Sequence, residues 1–183
     1  MKIENIIRRV LREQEENLSE LPPFDDFFDS DWNLVLSFMN RYSNKKFYYL
    51  GDLDLSESDI KSLGNLIRVE GDLDLNFCRN LQSLGNLVKV EGNLDLKVSD
   101  IKSLGNLEYV GGYLDLIDTD IETLGKLEDV DGNLDLSSCE NLQSLGNLEY
   151  VGGGLDLSGT PLSEKYTKKQ IRKMVEVDGE IFM

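Results

Sequence analysis

The tripeptide Leu-Asp-Leu returns six times, at Leu53-Asp54-Leu55, Leu73-Asp74-Leu75, Leu94-Asp95-Leu96, Leu114-Asp115-Leu116, Leu134-Asp135-Leu136 and Leu155-Asp156-Leu157, spaced by 20, 21, 20, 20 and 21 residues. A second block, Leu-Gly-Asn-Leu, keeps phase with it at Leu63–Leu66, Leu84–Leu87, Leu104–Leu107 and Leu145–Leu148, and Lys126 replaces Asn in the Leu124–Leu127 copy. Val69, Val90, Val110, Val130 and Val151 follow each block by three residues, and Gly71, Gly92, Gly112, Gly132 and Gly153 open the next unit as Gly51 opens the first. A unit of twenty residues with one short strand cannot bury these leucines alone. Copies must stack, so that like residues pile up at strand spacing into one core.

Two apolar periods run inside each unit. The alternation around Leu-Asp-Leu has a period of two, as in a strand with one buried face. Across Ile60, Leu63, Leu66 and Val69 the step is three, which suits a chain winding round corners. The two 21-residue units place their extra residue in the same turn, between Leu75 and Leu81 and between Leu136 and Leu142, so a corner is expected to absorb it.

The run Leu104-Gly-Asn-Leu-Glu-Tyr-Val-Gly-Gly-Tyr-Leu-Asp-Leu116, repeated with small changes from Gly51 to Leu157, resembles the leucine-rich-repeat-like coils of receptor L domains and related bacterial and phage repeat proteins. The resemblance implies a mainly β, right-handed parallel β-helix used for recognition. The chain lacks the disulfides of receptor domains and is shorter, which argues against a receptor role. Its tail, Gly159-Thr-Pro-Leu-Ser-Glu-Lys-Tyr through Val177-Asp-Gly-Glu-Ile-Phe, is similar to the ends of small repeat proteins of tailed phages.

The repeats divide the chain into three: residues 1–50, the solenoid 51–160, and residues 161–183. Val177-Asp-Gly-Glu-Ile-Phe-Met183 repeats Val130-Asp-Gly-Asn-Leu-Asp-Leu136, so a final strand is expected, preceded by a helix with a capping box at Thr167 and Gln170 and apolar Ile171, Met174 and Val175. In residues 1–50, Ile3, Ile6, Ile7, Val10, Leu11 and Leu18 follow helical spacing, Pro22-Pro23 breaks the chain, and 31–42 offers a second helix bearing Trp32, Val35, Phe38 and Met39. That segment reads as a helical cap over the open solenoid end, or as a docking element through its basic Arg8, Arg9 and Arg12.

Leucines on both sides of each central aspartate must face inward, which sends Asp54, Asp74, Asp95, Asp115, Asp135 and Asp156 outward in one column. Asp52, Asp72, Asn93, Tyr113, Asn133 and Gly154 precede the tripeptides and form a second outward column. Charge is concentrated on the solenoid: of the net −16, residues 51–160 supply 22 acidic and 7 basic side chains. Neighbouring aspartates at strand spacing repel by roughly 1 kcal/mol in water-like dielectric. Asparagine would stack without that cost, so the column reads as a face for a protein partner, a basic one by charge, with Tyr109, Tyr113 and Tyr150 nearby, or as protection against stacking with other sheets. Duplication of one coil is the bland alternative, since it copies an aspartate whether or not each copy is used.

Other classes of function fare worse. Net negative charge repels nucleic acid and anionic membranes, no stretch approaches the roughly twenty apolar residues of a membrane span, and residues 1–18 lack the apolar run of a signal peptide. A cytoplasmic location is expected, or a virion for a phage-encoded chain. Cys78 and Cys139 lie in equivalent positions three coils apart, roughly 14 Å at strand spacing, too far for a disulfide; they read as small buried fillers. No metal or other cofactor is expected, because a single row of carboxylates supplies little of the six to eight oxygens calcium takes. The Ser62, Ser83, Ser103, Thr123, Ser144 and Asn65, Asn86, Asn106, Asn147 columns are expected to satisfy backbone groups at bends.

Catalysis is not expected. Glycan-cleaving β-helix enzymes use aspartates, but this chain has no histidine, and a regular column is unlike the asymmetric cluster of perturbed groups that chemistry needs. Further alternatives are a structural component of a virion and an acidic nucleic-acid mimic that inhibits a DNA-binding protein.

Overall fold

The computed structural model describes residues 20–24 and 46–183. Every strand pairing in it is parallel, and the strands form two sheets wound from successive coils. The first sheet holds β1 (Glu20–Phe24), β2 (Lys46–Tyr49), β4 (Leu66–Val69), β6 (Lys89–Val90), β8 (Tyr109–Val110), β10 (Asp129–Val130), β12 (Tyr150–Val151) and β14 (Glu176–Val177), in that spatial order. The second is built from β3 (Leu53–Asp54), β5 (Leu73–Asp74), β7 (Leu94–Asp95), β9 (Leu114–Asp115), β11 (Leu134–Asp135), β13 (Leu155–Asp156) and β15 (Ile181–Phe182). Each coil therefore gives its Leu-Asp pair to one sheet and the residue pair ending in valine to the other. A third side carries only isolated parallel bridges, Ser62 to Ser83, Ser103 to Thr123 and Thr123 to Ser144.

The predicted β-solenoid is thus the fold, and its core is the predicted spine. Leu53, Leu55, Ile60, Leu63, Leu66 and Val69 are buried, and so are their counterparts in the next four coils; Leu155, Leu157, Val177 and Ile181 continue the spine, and Met183 is partly buried against it. Cys78 and Cys139 are free, buried thiols. Each donates to a leucine carbonyl of the preceding coil, Cys78 to Leu55 and Cys139 to Leu116. Burial pushes the Cys139 thiol above its ordinary pKa, the direction of an inert core group. In the two longer coils the extra residue sits in an additional hydrogen-bonded turn, closed by Leu81 N–H to Cys78 O (3.0 Å) and Leu142 N–H to Cys139 O (3.1 Å). Asn80 and Asn141 tie that turn to the coil before it through Asp59 and Asp120.

The repeat glycines answer to close approach between coils. A Cβ at Gly71 would lie 2.3 Å from Asp52 Oδ1 and 2.4 Å from the Gly51 carbonyl carbon, and one at Gly92 would lie 2.3 Å from Asp72 Oδ1. Any side chain there collides with backbone as well as carboxylate, so the column stays glycine.

The C-terminal reading holds in outline. Thr160 caps α1 (Pro161–Lys165), and the predicted capping box of Thr167 and Gln170 opens α2 (Lys168–Ile171). The helix is shorter than its apolar spacing suggested, and Met174, expected on its apolar side, is half exposed. The final repeat then supplies strands to both sheets: β14 pairs with β12, and β15 with β13. In residues 1–50 the described strands fall outside the two expected helices and were not read from the sequence. Lys46–Tyr49 and Glu20–Phe24 extend the first sheet past the first repeat, with Phe47 fully buried. Pro22-Pro23, read as a chain break, lies in the outermost of the described strands where the register shifts between Leu21 and Phe24; a residue without an N–H is tolerated at an edge. The helices expected over 3–18 and 31–42, and the docking arginines with them, lie outside the described residues.

Candidate functional site

Parallel in-register pairing places the central aspartates in a single file. Asp54, Asp74, Asp95, Asp115, Asp135 and Asp156 are successive partners across the second sheet, and Phe182 continues the file. The leucine before each is buried while the aspartates lie on the outer side. They are unequally open: Asp54 is exposed, whereas Asp95 keeps only 8% of its surface.

Each aspartate has a structural task that the sequence reading did not assign. Its Oδ1 accepts the backbone N–H two residues on, from Ser56 (3.0 Å), Asn76 (3.0 Å), Lys97 (3.1 Å), Ile117 (3.0 Å), Ser137 (2.9 Å) and Ser158 (2.8 Å). This Asx turn leads into a residue of positive φ: Glu57, Phe77, Val98, Asp118, Ser138 and, in the last coil, Gly159. The carboxylate thereby holds the corner in a left-handed conformation that non-glycine residues resist. One oxygen of each aspartate belongs to the fold. At Asp95 the second oxygen is paired as well, the Lys97 ammonium sitting 2.7 Å from Oδ2.

Local electrostatics differ along the file. The Ser56 hydroxyl and amide hold Asp54 below the usual carboxylate pKa. Burial drives Asp115 the other way, with Asp95 and Asp135 adding to the rise against the Ile117 N–H and Lys97. The hydrogen bond to Asp95 raises Lys97 and keeps it charged.

The second column is also built into the backbone. Asp52, Asp72, Asn93 and Asn133 each turn Oδ1 to the N–H of the equivalent residue one coil on, Asp72, Asn93, Tyr113 and Gly154, at 2.7–2.9 Å. Tyr113 interrupts this ladder, having no amide or carboxylate oxygen to offer, and is 43% exposed. Partial burial, then Asp95 and Asp72, raise its phenol.

Tyr109 and Tyr150, expected beside this face, belong to the first sheet. Their hydroxyls donate to Asp131 and Asp178. On that sheet Lys89 also lies over the Tyr109 ring, 4.3 Å from its centroid, and Arg68 and Lys89 pair with Glu91. The difference arises because x-Val and Leu-Asp occupy different sides of the coil, although only a few residues separate them. One interior feature also escaped the sequence reading. Ser99, Thr119 and Thr160 share a column with the two cysteines, and each donates to the leucine carbonyl three residues earlier. Their position three residues after Leu-Asp-Leu, held by Ser, Thr or Cys in all six copies, was the available signal.

The serine and threonine column accepts the N–H of the glycine two residues on in every copy, at 2.8–3.2 Å. The asparagine column links coils through Asn86 to Asn65 (2.9 Å) and Asn106 to the Gly85 carbonyl. Among the described residues no group of three or more Asp, Glu or Cys converges as metal ligands would, and no helix is long and apolar enough to cross a membrane. Comparison of the chain with protein-family models, with curated proteins and with solved structures gives no significant match.

Proposed function

We propose that this protein is a non-catalytic interaction module that takes a basic protein surface on its second sheet. One observation carries the reading: six carboxylates stand in register on one face, each fixed through Oδ1 to its own turn, and all but Asp95, whose Oδ2 is taken by Lys97, keep the second oxygen for a partner. A preformed row of anions loses little side-chain freedom on binding, so less of the attraction is offset by ordering. Asp52 and Asp72 widen the acidic strip, and Tyr113 and Phe182 add half-exposed aromatic surface to it. Such flat, aromatic-bearing patches are the usual anchors of protein interfaces. The leucine-rich-repeat-like kinship, and an accessory role in a bacterium or tailed phage, rest on the sequence resemblance and set the context in which a partner is sought.

The test uses a property of the turns. Asparagine keeps the Oδ1 acceptor and removes only the charge, so a variant with Asp74, Asp95, Asp115 and Asp135 all changed to Asn retains the corners. Affinity capture from a native host lysate, wild type beside this variant and beside Tyr113→Ala, is expected to lose the partner in the variants. Equal retention by all three forms rejects the face. Loss of the partner to competing DNA, with strong salt dependence, selects the nucleic-acid mimic instead.

A further inference from the structure

In a stack of parallel coils each carbonyl that points forward needs an N–H from the next coil. On the first sheet these donors come in consecutive pairs. Val110 O and Gly112 O accept from Asp131 and Gly132, at 3.0 and 2.9 Å. Val130 O and Gly132 O accept from Gly152 and Gly153, both at 2.9 Å. Val151 O and Gly153 O accept from Asp178 and Gly179, at 3.0 and 2.9 Å. The equivalent carbonyls of the last coil are Val177 O and Gly179 O. Both are taken by one side chain: Arg172 donates from Nη1 to Val177 O and from Nη2 to Gly179 O, the latter at 2.7 Å.

We infer that Arg172 is the terminator of the first sheet, its guanidinium standing in for the paired amides of a further coil and closing that edge to another strand. The chemistry suits the task. Guanidinium is planar and carries donors in a fixed fork, so two parallel N–H groups can replace two consecutive backbone N–H groups; lysine, with one compact ammonium, cannot reproduce the pair. An uncovered parallel edge is a template for pairing with another chain, and the strand that would find it in solution is that of a second copy. The placement of Arg172 follows from the fold, since the capping box starts α2 and the chain leaves it at Arg172, with the turn 173–175 leading into β14. Lys168 supports the same end, with its ammonium 3.9 Å from Glu180 and 6.0 Å from the Phe182 ring centroid.

The test is sedimentation velocity over a wide concentration range on the full chain and on Arg172→Ala. The wild type is expected to sediment as one species at every concentration. Arg172→Ala is expected to shift toward at least twice the mass as concentration rises, with an unchanged far-ultraviolet circular dichroism spectrum. A second change identifies the edge. Val177 N–H points the same way as Val177 O in a parallel ladder, so Val177→Pro added to Arg172→Ala blocks strand addition without removing a bond to β12, and is expected to restore the single species. If Arg172→Ala loses its native spectrum, Arg172→Gln takes its place and is read in the same way. A natively folded variant that stays a single species at all concentrations, or an association that Val177→Pro leaves untouched, overturns the inference.

Discussion

The Tyr109 hydroxyl donates to Oδ2 of Asp131 in the next coil at 2.6 Å. Between them the chain carries Gly111, where a Cβ would sit 3.2 Å from that hydroxyl and 2.1 Å from the Glu91 carbonyl oxygen. The same construction recurs at Tyr150, which reaches Asp178 at 2.9 Å, with Gly152 3.0 Å from the hydroxyl by the same measure. The doubled glycine in Tyr-Val-Gly-Gly therefore leaves room for a phenol to cross from one coil to the next.

This contact predicts an alkaline limit. The hydrogen bond to Asp131, then burial, then the charges of Asp131, Glu91 and Asp129, push the Tyr109 phenol up to about 12. A raised value means that folding favours the protonated phenol, so its stabilisation is whole below the ordinary tyrosine value near pH 10 and is lost as pH rises through about 12. Tyr109→Phe is expected to cost about 1 kcal/mol at pH 8. Urea midpoints of the two proteins should draw together above pH 10; a constant gap up to pH 12 would show that the phenol proton is not involved.

Charge and turn can be separated at Asp115. Burial raises its folded pKa, so it favours folding below the ordinary carboxylate range and this contribution is lost as pH rises through the raised value. Asp115→Asn, which keeps an Oδ1 for the Ile117 N–H, is expected to unfold at higher temperature than wild type at pH 7, with the advantage vanishing at pH 3. Asp115→Ala removes the acceptor and is expected to lose about 0.5–1.5 kcal/mol at both pH values. Thermal melts of the three proteins at both pH values decide it.

Val98 occupies its corner at φ 56°, where its relatives are Glu57, Phe77, Asp118, Ser138 and Gly159. A β-branched residue is the least suited of these to a left-handed conformation. Val98→Gly is expected to stabilise the fold by about 1 kcal/mol, the strain released less the added chain entropy. Chemical denaturation measures it, and a loss of stability would mean that the Val98 side chain contributes more by packing than its backbone costs.

The glycine column makes the opposite forecast. Gly92→Ala places a Cβ 2.3 Å from Asp72 Oδ1 and 2.7 Å from the Gly71 carbonyl oxygen. The coils must part, and a loss of about 2 kcal/mol or more is expected in the denaturation midpoint. Because backbone atoms are among those struck, Asp72→Ala in the same chain should not restore stability.

The spine was legible in the sequence because stacking imposes one rule on every coil: leucine or valine at a repeat position is inside, and whatever stands between two leucines is outside. Asp54 to Asp156 could be placed in one file from spacing alone. What the carboxylates do could not, because the Asx turn depends on the φ of residues such as Glu57 and Val98, whose identities vary from coil to coil while their conformation does not. The placement of Tyr109 in the first sheet and of Tyr113 at the entry to the second was hidden for a related reason: a bend at Gly111-Gly112 separates them, held by the bonds of Gly111 and Gly112 N–H to Val90 O and Gly92 O and of Tyr113 N–H to Asn93 Oδ1 in the coil before. Arg172 carries no sequence signal at all, since its bonds to Val177 O and Gly179 O follow no position of the repeat.

The central claim is that each coil advances along one axis by one strand spacing, with its aspartate above the last. Distances between spin labels on cysteines introduced at Asp54, Asp115, Asp135 and Asp156, with Cys78 and Cys139 changed to Ser, test it most directly. From Asp54 the separations should grow in proportion to the number of coils crossed, to about 24 Å at Asp156 for steps of about 4.8 Å. Separations that fail to grow in that order, or an Asp54 to Asp156 distance no longer than that from Asp54 to Asp115, would contradict the account.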